Sequence, residues 1–134
     1  MLKQQQNTKK QGDVGLGAAI AWFSANGYTV SIPLTDSQDY DLVVDNGDGP
    51  LKRIQVKTTW AKSKYDIFIV RTCVSGGNRS GKGKIKFFDP DKVEMLFVLT
   101  DNGDKYLIPS THVGGSWLIS LGEKYQQFKI IGDW

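Results

Sequence analysis

Three residues in the first half of the sequence have types and spacing that could do chemistry: Asp41, Gln55 and Lys57. Residues two apart on a strand face the same side, so Gln55 and Lys57 point together if their segment is extended. Asp41 opens the preceding apolar run, and the turn residues Asp45-Asn46-Gly47-Asp48-Gly49-Pro50 between the two runs predict antiparallel neighbours. Such a hairpin brings Asp41 beside the pair. A carboxylate and an amide carbonyl offer oxygen ligands to a hard divalent cation such as Mg²⁺, with Mn²⁺ as a substitute. The Lys57 ammonium could orient an attacking water and offset charge building up on a phosphate. Together the three suit metal-assisted hydrolysis of a phosphodiester. The same three types also fit an amphipathic strand with a solvated polar face, and the spacing alone does not choose between the two.

The elements that must position them follow from periodicity. Lys10 to Ala25 reads as a helix, with Val14, Ala18, Ala21, Trp22 and Ala25 three and four apart and Asn26-Gly27 as its stop. Tyr28–Pro33, Tyr40–Val44, Lys52–Thr58 and Asp66–Val74 read as four strands. Asp89-Pro90-Asp91 reads as the start of a short helical turn. Glu94–Thr100 and Lys105–Pro109 form a hairpin across Asp101-Asn102-Gly103-Asp104, and Trp117–Leu121 and Phe128–Ile131 are two further apolar runs. With no repeat and no dividing linker, the 134 residues are expected to form one domain over 1–134, with 1–9 as a flexible tail.

Charge is distributed unevenly. The net charge is only +3, yet between Leu51 and Lys86 there are ten lysines and arginines and a single acid, Asp66. A polyanionic partner is the natural reading of that segment, beside the plainer one of a lysine-rich solvated surface. Lys62 and Lys64, with Arg79, Lys82 and Lys84 in the glycine-rich loop from Ser75 to Lys84, are the candidate contacts.

Other features exclude function classes. Cys73 is the lone cysteine, in an apolar run, so no intramolecular disulfide or cysteine metal cluster forms, and a reducing, cytoplasmic location is expected. No window approaches the roughly 20 apolar residues of a membrane span. Gly76 to Gly83 nearly spells a phosphate-binding loop, but Gly83 stands where a hydroxyl is required. His112, the one histidine, has no nucleophile partner, and Asp36 and Asp39 read as solvated loop acids that could assist a metal.

Gly12-Asp13-Val14-Gly15, Gly27-Tyr28-Thr29-Val30, Pro33-Leu34-Thr35, Tyr40-Asp41-Leu42-Val43 and Arg53-Ile54-Gln55-Val56-Lys57-Thr58 follow one another in order. This run resembles the PD-(D/E)XK nuclease superfamily, and within it the endonucleases encoded in group I introns, where glutamine replaces the usual second acid. The resemblance covers Lys10 to Thr58, with a weaker echo at Lys105 to Pro109. It implies an α/β, restriction-endonuclease-like core with a mixed β-sheet flanked by helices. It also implies Mg²⁺ dependence, double-stranded DNA as substrate and a homing role, and it carries Asp41, Gln55 and Lys57 over as active-site positions. A junction-resolving nuclease and a DNA-binding relative without catalysis are the alternatives. One departure stands out: many relatives place a glutamate where this sequence has Leu16. Asp13, on the same helix, is a candidate third metal ligand in its place, although an acid near a helix N-terminus is equally expected from the dipole. Cutting both strands calls for a homodimer or a higher even oligomer. Trp117–Leu121 and Phe128–Trp134 are candidates for that interface or for burial in the monomer core.

Overall fold

The computed structural model describes residues 7–75 and 85–132. An α-helix, α1 (Thr8–Ala25), is followed by β1 (Thr29–Ser31), β2 (Leu42–Asp45) and β3 (Lys52–Thr59). After these come three short strands, β4 (Ile69–Arg71), β5 (Val74–Ser75) and β6 (Ile85–Lys86). The hairpin β7 (Met95–Thr100) and β8 (Lys105–Pro109) and the short strand β9 (Leu118–Ser120) complete the order. Helix α1 starts two residues before the expected Lys10, so Thr8 and Lys9 belong to the helix rather than to a tail. The Asn7 side chain caps it by accepting from the Lys9 N–H at 2.9 Å.

The main sheet has the order β1-β2-β3-β7-β8. Its pairs are antiparallel except β3 with β7, which is parallel, so the sheet is mixed. Strand β7 reads Met-Leu-Phe-Val-Leu-Thr and is buried along nearly its whole length, as a central strand covered on both faces should be.

The two faces carry two cores. On one, α1 lays its Gly15, Ala19 and Phe23 stripe on Leu42, Val44, Ile54 and Phe97. The approach is so close that a Cβ on Gly15 would sit 2.1 Å from the Thr58 methyl. On the other face Leu96, Val98 and Ile108 pack with Val70, Phe88, Ile119, Leu121 and Tyr125. Beyond α1, the helical structure among the described residues is 3-10: Ser110–His112 and Glu123–Phe128.

One expectation changes. The run Asp66–Val74 is not one strand. Asp66 adopts φ 63° in a turn, and the Thr72 and Cys73 N–H groups both donate to the Trp117 carbonyl, which interrupts any ladder between β4 and β5. Asp89 starts the expected short turn, closed by Lys92 N–H to Asp89 O at 3.1 Å. Of the two late apolar runs, Trp117–Leu121 pairs with β4 as β9 and buries Ile119 and Leu121 in the core of its own chain. Phe128–Ile131 forms no strand; it meets the sheet through the bridge of Lys129 to Tyr106, the Ile130 N–H donating to the Lys105 carbonyl, and the packing of Phe128 and Ile130 on the two cores. No helix among the described residues is long and apolar enough to cross a membrane.

Candidate active site

Strand β3 positions the site by simple alternation. Ile54 and Val56 face α1. Gln55 and Lys57 therefore face the other side, level with Leu96 and Val98 of β7, their partners in the parallel register. Leu42 pairs with Ile54, which sets Asp41 opposite Gln55 just before β2 begins. The Asp41 N–H donates to the Ile54 carbonyl at 2.8 Å, and its Oδ2 accepts from the Val56 N–H at 2.7 Å. The carboxylate thus stands in for the backbone acceptor that β2 would otherwise present to β3. The hairpin expected from the sequence does bring Asp41 against the Gln55–Val56 peptide.

Burial perturbs the two charged members of the trio. One side of Asp41 meets solvent, but protein surrounds enough of the carboxyl that burial raises it above the ordinary carboxylate range. The Val56 N–H and the Lys57 charge act in the opposite direction. Burial pulls Lys57 below the usual lysine range; the Arg71 charge adds to this, and Asp41 opposes it. Gln55 is 7% exposed, and its amide makes no hydrogen bond among the described residues. Its amide atoms therefore meet the solvent of the adjoining cavity, where the carbonyl oxygen is open to a ligand.

Two cavities flank the trio. Gln55 opens into one of about 150 Å³ shared with Asp39, Lys86, Phe88, Asp89 and Lys92, where Lys92 pairs with Asp39 at 3.6 Å. Lys57 opens into another, shared with Gln11, Trp60 and Arg71. Asp39 sits close to where the sequence placed it, beside the active strand. Asp89, Gln11, Trp60 and Arg71 were not singled out for the site, because only pairings between segments far apart in sequence bring them there.

The donor set fits a hard cation in type. Asp41 keeps Oδ1 outside its hydrogen bond to Val56, and the Gln55 carbonyl is a neutral oxygen without a partner among the described residues. Among the described residues no group of three or more histidine, cysteine or acidic side chains gathers into a metal site. Leu16 packs on the α1 side of the sheet, against the Ala19, Phe23 and Ile54 cluster. Asp13 does not join Asp41. It is exposed and lies two residues from both Gln11 and Gly15, which turns it to the side of the helix away from the sheet.

The predicted DNA contacts divide. Arg79, Lys82 and Lys84, with the rest of their loop, lie outside the described residues. Lys62 and Lys64 are exposed; Lys62 reaches Asp66 at 3.1 Å, and each stands over an aromatic ring, Phe68 and Tyr65 respectively. Arg53, in the same cationic segment, is instead a structural clamp. Its Nε bonds Glu94 at 2.8 and 3.1 Å, and its guanidinium reaches the Asp91 carbonyl.

No curated protein matches the chain. A solved structure does, that of a bacterial homing endonuclease, I-Ssp6803I: the TM-score is 0.73 and the identity 27%, over 90% of this chain and 82% of that one. Residues 6–128 match the family model described as PD-(D/E)XK endonuclease. That span contains α1, the whole mixed sheet and all three residues of the trio, and the chain belongs to the PD-(D/E)XK endonuclease family.

Proposed function

We propose that the protein is a metal-dependent, sequence-specific endonuclease of double-stranded DNA, of the homing type, with Asp41, Gln55 and Lys57 as its active site. The observation that carries this reading is the Gln55 amide, open to a cavity, without a hydrogen bond among the described residues and on one strand face beside Asp41 and Lys57. Asp41 and Gln55 would hold Mg²⁺ or Mn²⁺. The cation, when bound, supplies polarisation of the phosphate and a lower pKa for water. Lys57 does the rest from its own side. Its ammonium, held in a partly dry site, orients the attacking water and offsets the charge that develops on the phosphate oxygens. Two copies of the chain, one per strand, account for a double-strand cut, and Lys62, Lys64, Arg79, Lys82 and Lys84 would carry the duplex through phosphate contacts.

Cleavage of a randomised duplex library in Mg²⁺, with Asp41→Ala as the control, tests the proposal. Cutting at a recurring sequence by the parent alone is expected; cutting by both, or at no recurring site, defeats it. Leu16 favours one second reading, a DNA-binding relative without catalysis. Its side chain stands in the helix-side core at the position where the family resemblance expects an acid. Binding to a selected sequence with no cleavage in either metal would favour that reading.

A further inference from the structure

The cavity that Lys57 opens into, about 400 Å³, is lined by two cationic side chains, Lys57 and Arg71, and by no acid. Gln11 of α1 closes one side, and Trp60, Ile69 and Leu118 contribute the apolar surface. The arrangement is built by the chain that turns back after β3. The Thr59 hydroxyl donates to the Ile69 carbonyl at 2.5 Å, the Ile69 N–H donates to the Ala61 carbonyl at 3.0 Å, and Lys62 bridges to Phe68. Trp60 is therefore held at the base of this turn with 50% of its surface exposed. On β4, Val70 is buried in the core, so Arg71 and Ile69 face the opposite way, into the cavity. Among the described residues the Arg71 guanidinium has no ion pair or hydrogen bond.

An unpaired guanidinium, a lysine and a half-exposed indole around one space match the chemistry of a nucleotide. The planar fork suits phosphate oxygens, and the indole face suits a base or sugar. We infer that this cavity takes the nucleotide next to the scissile phosphate, its phosphate on Arg71 and its base or sugar against Trp60. The inference rests on the reading of Asp41, Gln55 and Lys57 as the cleavage site. It gives Arg71 and Trp60 a binding role that sets the path of one strand as it leaves Lys57.

The test is binding of a single-stranded octathymidylate without metal, followed by the Trp60 indole and Arg71 side-chain resonances. It uses the full chain carrying Asp41→Asn, chosen to suppress cutting. Both resonances are expected to move together. Arg71→Gln and Trp60→Leu, at exposed positions, should each weaken binding about tenfold, the scale of one lost stacking or phosphate contact. On duplex DNA, Arg71→Gln should also flatten the slope of log affinity against log salt by about 0.9. Resonances that stay in place, or affinity within twofold of the parent in both variants, would overturn the inference. Inorganic phosphate that moves Arg71 as far as the oligonucleotide does, with Trp60 unmoved, would overturn it too, since the site would then take an anion only. The outcome is separate from that for cleavage. If the parent cuts no DNA but the oligonucleotide still seats on Trp60 and Arg71, the enzymatic reading fails and the binding site stands. If the parent cuts and the two residues ignore the oligonucleotide, the reverse holds.

Discussion

The two faces of β3 are made from alternate residues of one strand, and they do opposite things. Ile54, Val56 and Thr58 look toward α1, where Gly15, Ala19 and Phe23 follow Gln11 along the buried stripe and the packing closes to van der Waals contact. Gln55 and Lys57 look the other way, with Asp41 beside them, and burial disfavours the charge on both Asp41 and Lys57. The first face gains free energy by leaving water; the second gives some back. A sheet that needed only stability would not carry the second face, which is why the polar side of β3 is the informative one.

The comparison breaks most visibly in activity. Asp41→Asn keeps the shape and can still accept from the Val56 N–H, yet removes the charged ligand. Cleavage should fall by at least about 10²–10³-fold, the scale for one preorganised electrostatic group, and Lys57→Met should do the same. Single-turnover rates measure this, and a near-normal rate in either variant removes that residue from the site.

On the helix side the same kind of change should unfold rather than inactivate. Ile54→Ala should cost about 2–5 kcal/mol, and Gly15→Ala about 1–3 kcal/mol through its collision with Thr58. Denaturant titration reads both.

The next effect is smaller and opposite in direction: Asp41→Asn and Lys57→Met should each raise Tm near neutral pH. Their pH dependences differ in sign. The folded-state pKa of Asp41 is raised, so its ionisation weakens the fold as pH climbs from 3.8 through the raised value. The advantage of Asp41→Asn should grow over that window and then stay level. The folded-state pKa of Lys57 is lowered, so its penalty is complete below that value and fades as pH rises toward 10.5. The advantage of Lys57→Met should shrink in alkali. Thermal melts across pH that show parallel curves for the two variants would contradict the burial argument.

Leu16→Glu sharpens the comparison most finely. Because Leu16 packs on the α1 side, the variant should lose about 1–3 kcal/mol and keep the metal requirement of the parent. A fall in the Mg²⁺ needed for cleavage would instead tie position 16 to the metal across the sheet.

Much of the helix side was legible in the sequence because its signals are local. The helical spacing of Ala18, Ala21, Trp22 and Ala25, the acidic turn after Val44 and the Asp101-Asn102-Gly103-Asp104 hairpin each sit within a few residues of what they specify. Asp41, Gln55 and Lys57 were legible for the same reason, since one turn joins their strands. The surroundings were not. Arg71 and Trp60 meet Lys57 only because Ile69 bonds back to Thr59 and Ala61, and β4 is itself held by β9, nearly 50 residues on. Asp66–Val74 looked like one strand because its apolar content is continuous; the break is imposed by the Trp117 carbonyl, which no local pattern reveals. Nor could periodicity say that Leu16 packs with Ile54 while Asp13 turns outward, because both lie on the same two turns of helix.

The parallel pairing of β3 with β7 also has a consequence in time. Arg53 and Glu94, which clamp the start of that pair, are 41 residues apart, so the centre of the sheet closes only after a long loop has been gathered in. A ribosome delivers α1 and the β1-β2-β3 meander first, leaving one edge of β3 with its N–H and C=O groups unpaired until β7 emerges. During that interval the nascent chain presents an open strand edge beside a half-covered apolar layer. Soluble yield should therefore depend on how quickly residues 60–100 follow, and a synonymous-codon pause placed within them should lower it while leaving the finished protein unchanged.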